Sequence, residues 1–292
     1  MKSNPSDPGK PESQRGELPR ELADALARAR PRLGSLASDV LFFPTIGSTN
    51  DVAIGHDSNV KSLAAGLRPP RSTEGLVVVA DEQTSGRGRR GHAWFSPPGS
   101  GLYVSVVLAP ARARMDPERA TTLLTLMAGV ALAEGIAAAT GLRVDLKWPN
   151  DLQVTRRKLG GILAEASGGG AAQSVVVGYG INVAATAFPP ELRDRATSLE
   201  SELGRAVDRD HVLVETLASL ARRYEDLLDG RFDAILDAWR GLAPAASGAQ
   251  VTWTTPAGEH AGVTSGIDDR GALLVTIGDR TERIISGEVH WL

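Results

Sequence analysis

Apolar and polar positions along this chain fall into blocks whose periods predict its elements. Continuous apolar runs at 76–80 and 102–108 read as strands buried on both faces, and 40–44 reads as another strand. Residues 144–148 form a short strand stopped by Pro149, and 152–154 with 159–165 are the arms of a hairpin around the turn Thr155-Arg156-Arg157-Lys158. A strand at 174–182 carries Gly178 and Gly180, which allow a ligand or a neighbouring backbone to come close. Helical spacing runs through Leu18, Leu22 and Leu26 until Pro31, and from the Asp116-Pro117 start through Leu123, Leu124, Met127, Ala131 and Leu132 to Gly141. A third helix places Leu213, Leu217, Leu220, Tyr224 and Leu228 on one face, and Phe232, Ile235, Leu236 and Trp239 mark a fourth.

Pauses in this pattern divide the chain. Residues 1–16 have almost nothing to bury and read as a disordered tail, so 1–38 is a tail plus a short helical leader. Residues 56–74, with Arg68-Pro69-Pro70-Arg71, read as a long surface connection. The small-residue stretch 241–248 is the best boundary, separating a central domain at 39–243 from 244–292. Beyond it, short strands at 251–255, 262–267, 272–277 and 282–285 predict a small barrel-like module.

Composition removes several classes of function. With 292 residues, two domains are expected, and a net charge of −3 gives no basic footprint for nucleic acid. The absence of cysteine excludes disulfides, thiol nucleophiles and cysteine-ligated zinc. The five histidines are scattered without ligand spacing. No apolar run is read as reaching membrane-spanning length, and the polar N-terminus lacks a signal-peptide core, so a cytoplasmic protein without a membrane partner is expected.

The chemistry concentrates at 81–105, where Arg87, Arg89 and Arg90 alternate with Gly86, Gly88 and Gly91. Glycine lets backbone N–H groups approach an anion, and arginine adds charge in a planar fork suited to phosphate or carboxylate. The segment also satisfies G-x-G-x-x-G, but His92-Ala93-Trp94-Phe95-Ser96-Pro97-Pro98 follows where a dinucleotide fingerprint opens a helix, so that reading fails. Ser48 and Thr49 have helix-capping chemistry beside a strand end, and capping and ligand binding remain equally open. Trp148 reads as core rather than ligand contact, and Lys147 as either a functional cation or an ion-pair partner.

Five segments stand in one order: Gly47-Ser48-Thr49-Asn50, Gln83 to Gly91, Lys147-Trp148-Pro149-Asn150-Asp151, Lys158-Leu159-Gly160-Gly161-Ile162-Leu163 and Gly178-Tyr179-Gly180-Ile181-Asn182. Together they resemble the biotin–protein ligases, and Gly266 to Leu273 with Gly287-Glu288 are similar to that family's small terminal domain. The resemblance implies an α+β fold, a mixed β-sheet flanked by helices related to class II synthetase and lipoate-ligase catalytic domains, with an SH3-like barrel at 244–292. It implies that 39–243 binds biotin and ATP, forms biotinyl-5′-AMP and passes biotin to a lysine of a biotin carrier domain, with Mg²⁺ held in part by Asp151.

Carried over by position, Ser48, Thr49, Asn50, Gln83, Arg87, Gly88, Arg89, Lys158 and Gly161 correspond to biotin contacts. Trp94, Lys147 and Asn182 correspond to ATP contacts. Arg87, Arg89, Lys147 and Lys158 are the catalytic cations, and Gly180 falls near the ligand. A lipoate–protein ligase on the same scaffold is the nearest rival, followed by a regulator that binds biotinyl-AMP without transferring it. The missing N-terminal DNA-binding domain of bifunctional family members is read as a monofunctional enzyme with no nucleic-acid partner.

Overall fold

Strands rich in Val and Leu with no polar alternation must be covered on both sides, and the fold is built to do that. In a computed structural model, residues 15–59, 73–167, 174–185, 188–255 and 258–292 are described. The elements begin with α1 (Arg20–Ala29), β1 (Asp39–Ile46), α2 (Thr49–Asn59), β2 (Leu76–Gln83), β3 (Gly101–Leu108) and α3 (Pro117–Thr140). There follow β4 (Asp145–Lys147), β5 (Asp151–Val154), β6 (Arg157–Ser167), β7 (Ser174–Asn182), α4 (Leu199–Leu203), α5 (Arg209–Leu228) and α6 (Phe232–Leu242). The last five are β8 (Ser247–Thr255), β9 (Gly258–Ile267), β10 (Leu273–Ile277), β11 (Arg280–Ile284) and β12 (Val289–Trp291).

The first seven strands form one sheet in the order β1-β2-β3-β7-β6-β5-β4, with β1 and β2 parallel and the other neighbours antiparallel. Every residue of β3, near the centre, is buried. One face packs on α1, α3, α5 and α6 through the main core, and α2 covers the other through Ala53 against Phe43, Val78, Tyr103 and Val107. The remaining strands form a second sheet, β11-β10-β9-β8-β12. The architecture is therefore the mixed sheet with flanking helices and a terminal β module that the sequence predicts.

Four elements differ from expectation. The helical leader packs into the core rather than standing apart: Leu22, Leu33 and Leu36 are buried, and Arg30 donates to the carbonyls of Gly34, Leu36 and Ala37 at 2.6–2.7 Å. Arg32 forms a two-pronged pair with Glu215 on α5, and this hydrogen bond holds the Glu215 carboxyl below the usual carboxylate range against the effect of burial. The hairpin turn is only Thr155-Arg156, both at positive φ, so Lys158 lies in a strand, not in the turn. Helix α2 continues to Asn59, into the stretch read as surface connection. Finally, α3 is long and apolar enough to cross a membrane, with mean hydropathy 1.7 over its most apolar window, where no such run is read from the sequence. That window is 67% buried within the protein, and α3 packs along α5, so its apolarity is explained as core. The Arg68–Arg71 run and residues 1–14 lie outside the described residues.

At the edge of the large sheet, Gly16 N–H donates to Phe42 O at 2.9 Å, and Arg15 reaches Val40 O. The terminal module is joined to the larger unit by Trp148, whose buried indole donates to Gly271 O at 2.9 Å, and by Arg119 Nε donating to Asp269 O.

Close approach of α3 and α5 depends on Gly135, where a Cβ would lie 2.5 Å from Thr216 Cα. Glycine to alanine inside a helix ordinarily gains about 1 kcal/mol. Here the clash is with backbone, so Gly135→Ala is expected to destabilise the protein by about 1–3 kcal/mol, as overpacking does. Chemical denaturation measures the sign, and a rise in stability would contradict this account of the helix crossing.

Candidate functional site

All five ordered motifs meet at one cavity of about 270 Å³: Lys147 to Asp151 line it along their whole length, and the others reach it through part of theirs, the last through Gly178, Tyr179 and Gly180. Strand β1 ends at Ile46, so Ser48, Thr49 and Asn50 open α2 at the wall, all three buried. Strand β2 ends at Gln83 and delivers the arginine loop over the opening. The turn after β4 brings Lys147 to Asp151, and β6 brings Lys158 and Gly161. The terminal module closes the remaining side with Gly287, Glu288, Val289 and His290.

A buried polar relay fixes the inner wall. Gln83 Oε1 accepts from Thr49 N–H at 2.9 Å and from Thr49 Oγ1 at 3.1 Å, so the first N–H of α2 is satisfied by Gln83. Gln83 Nε2 donates to Ser96 Oγ at 3.0 Å, fastening the segment that follows the loop. Ser105 Oγ donates to Asn50 Oδ1 at 2.5 Å and lies 2.8 Å from Thr49 Oγ1, while Asn50 Nδ2 donates to Glu165 Oε2 at 2.7 Å. Ser105 is the polar exception in a buried apolar strand, a signal legible in the sequence that the motif reading passes over. Glu165 is missed as well, although it lies within β6, two residues before the strand ends.

Three glycines make space for site side chains. A Cβ at Gly178 would fall inside the Asn50 amide, and one at Gly180 would fall inside the Trp94 indole. At Gly161 it would meet Lys158 and Trp94 at 3.2–3.4 Å. Trp94 therefore lies in a slot formed by two glycines, with its Nε1 buried and without a hydrogen-bond partner among the described residues. Lys158 Nζ sits 5.5 Å from its ring centroid.

Six cations line this cavity, Arg87, Arg89, Arg90, Lys147, Lys158 and Arg195, against two carboxylates, Asp151 and Glu288. Arg87 Nη2 contacts Asp51 at 2.8 Å and Glu165 at 2.7 Å, and Lys158 Nζ contacts Asp151 at 2.7 Å. Arg89 Nη1 donates to Asn150 Oδ1 at 3.3 Å; burial, with Arg90 beside it, pushes its guanidinium below the usual range while Asp151 opposes this. Burial likewise pushes the Lys147 ammonium below the usual lysine range, with Lys158 and Arg195 adding to it and Asp151 and Glu288 opposing. The Lys147 Nζ also rests 4.6 Å from the Trp291 ring centroid, a cation–π contact with the terminal module. A cluster of this sign, with backbone N–H groups nearby, is suited to a polyanion.

Of the residues expected here, Ser48, Thr49, Asn50, Gln83, Arg87, Gly88, Arg89, Trp94, Lys147, Asp151, Lys158, Gly161 and Gly180 all line the cavity. Asn182 does not, because its amide at the end of β7 donates to Thr197 O at 3.0 Å instead. Trp148 lines the cavity while also being buried against the terminal module, so the core reading holds for it.

A family model described as the biotin/lipoate A/B protein ligase family matches residues 53–182, and one for the biotin protein ligase C-terminal domain matches 246–290. The bifunctional ligase/repressor BirA of Bacillus subtilis is 37% identical over 242 residues, covering 81% of this chain and 73% of that protein. The chain belongs to the biotin protein ligase family. Biotin–[acetyl-CoA-carboxylase] ligase of Paracoccus denitrificans is 37% identical over 205 residues, covering 68% of this chain and 82% of that protein. Among solved structures, biotin protein ligase from Aquifex aeolicus in complex with biotin and ATP superposes with a TM-score of 0.71 at 27% identity, covering 87% of this chain and 99% of that one. The cavity just described draws on both matched regions, with Ser48, Thr49, Asn50 and Arg195 lying outside them.

The Arg87 pairs tie the arginine loop to α2 and β6, alongside its own hydrogen bonds from Gly88 N to His92 O and from Trp94 N to Gly86 O. All three side chains are partly exposed, so screening limits the Glu165 contribution to about 1 kcal/mol. Glu165→Gln is expected to speed hydrogen exchange at Gly88 and Trp94 about fivefold without changing exchange in α5. Equal rates in both variants would show that the loop is held by its backbone alone.

Proposed function

We propose that this chain is an ATP-dependent biotin ligase that forms biotinyl-5′-AMP and transfers the biotinyl group to one lysine of a biotin carrier domain. The observation that carries the proposal is the convergence of six cations and a buried polar relay on one cavity built from the family's ordered segments. In the first step, a biotin carboxylate oxygen bonds to the α-phosphorus of ATP. The bond from that phosphorus to the β-phosphate bridging oxygen breaks, and its electron pair leaves with pyrophosphate. In the second, the lysine ε-amine attacks the acyl carbon, AMP leaves with the electron pair of the acyl–oxygen bond, and the amine releases a proton.

Both reactants of the first step are anions, so the chain must offset their repulsion before it can orient them. Arg87 and Arg89, with Ser48, Thr49, Asn50 and Gln83, are assigned to the biotin end, and Lys147 and Lys158 to the phosphates. Trp94 and its glycine slot offer an apolar face and an unpaired donor to the adenylate. Among the described residues no group of three or more acidic or histidine side chains forms a metal cage. Mg²⁺ commonly keeps most of its oxygens from phosphate and water and takes one or two carboxylates from the protein. Asp151 and Glu288 fit that role, and the ion would supply charge neutralisation between phosphates. The reaction belongs in the cytoplasm, where ATP is supplied.

ATP–pyrophosphate exchange, run with biotin and with lipoate in parallel, tests the proposal. Exchange with biotin, followed by labelling of a carrier-domain lysine, is expected; exchange with lipoate alone would overturn it. A second expectation concerns pH. Because burial makes Lys147 lose its proton below the usual lysine range, its attraction for phosphate should fade earlier as pH rises. The alkaline limb of kcat/KM for ATP, which reports the free enzyme, should move upward in Lys147→Arg because guanidinium stays charged. An unmoved limb would assign that titration to another group.

A further inference from the structure

Arg195 is a cation of the cavity that stands in none of the ordered motifs. It follows a short turn, with its N–H donating to Leu192 O at 3.0 Å, and its carbonyl accepts from Lys158 N–H at 2.7 Å. Thr197 N–H donates back to Lys158 O at 2.9 Å, so the backbone of Arg195 is pinned to the strand that carries Lys158. Its exposed side chain lines the same cavity and is close enough to Lys147 to repel its charge. Arg87 and Lys158 have carboxylate partners, but the ion pairs among the described residues include none for Arg195.

Like charges held side by side by the backbone are unfavourable unless an anion is shared between them. Two ends of the cavity can be told apart. Arg87 shares Glu165 with Asn50, while Arg195 is paired through its backbone with Lys158, which meets Asp151, and its charge acts on Lys147. We infer that Arg195 grips the outer β- and γ-phosphates of ATP, and hence the departing pyrophosphate, an assignment that rests on the ligase reading. Charge builds on the leaving oxygen as the α-phosphorus–oxygen bond breaks, and a guanidinium beside Lys147 stabilises it there. The transfer step involves no pyrophosphate, so it should not depend on Arg195.

That division gives the test. In full-length Arg195→Ala, KM for ATP and for pyrophosphate in the exchange reaction should each rise about tenfold, with KM for biotin unchanged. Transfer from preformed biotinyl-5′-AMP to a carrier domain should proceed at the native rate. Arg195→Lys should recover part of the loss, and melting temperatures should coincide because no side-chain hydrogen bond of Arg195 supports the fold among the described residues. Unchanged KM values for ATP and pyrophosphate would overturn the assignment. So would a raised KM for the carrier with exchange intact, which would make Arg195 a docking residue for an acidic protein surface. Failure of the native chain to exchange with biotin at all would instead refute the ligase reading.

Discussion

Mutual repulsion among cations is the constraint on which the rest of this site depends. Arg87, Arg89, Arg90, Lys147, Lys158 and Arg195 converge where only Asp151 and Glu288 oppose them along the lining. The scaffold answers by tethering four of these charges, each differently. Arg87 is tied to α2 and β6 through carboxylates, Lys158 to Asp151, Arg89 to an amide, and Lys147 to the face of Trp291. Those tethers come from both sheets, which is why the terminal module is part of the site and not an appendage. The cavity stays open to an anion because the cations are fixed by groups that do not fill it.

Much of this was legible in the chain. Long apolar runs showed β2 and β3, the Asp116-Pro117 start and Gly141 stop bounded α3, and the order of five short motifs marked the cavity wall. What stayed hidden depends on contacts between distant segments. Arg195 carries no local signal, since its place is set by a pairing with Lys158 across 37 positions (195 − 158 = 37). Glu165 looks like the end of a hairpin arm until Asn50 and Arg87 are seen to share it.

Two places show how a partner narrows what composition allows. Asn182 sits in a motif with Gly178 and Gly180, yet its amide is used to hold Thr197. Helix α3 has the composition of a membrane segment, yet it is the core of a protein whose sheet needs an apolar cover. In each case composition states what a residue can do, and the partner decides what it does. The leader shows the reverse: an unremarkable run of leucines is drawn into the core because Arg30 and Arg32 fasten its far end.

The contact of Gly16 with Phe42 has a consequence for how these molecules behave in a crowd. An outer strand with free N–H and C=O groups is a template on which another chain can add itself, the first step toward aggregates. On β1 the carbonyl of Phe42 is already taken by Gly16, that of Val40 is approached by Arg15, and Pro44 has no N–H to offer. At the opposite end of the sheet, β4 spans only Asp145–Lys147, too short to seed a long ladder. Both edges of the seven-stranded sheet thus offer little to an eighth strand, and on one of them it is the residues before the leader helix that occupy the template.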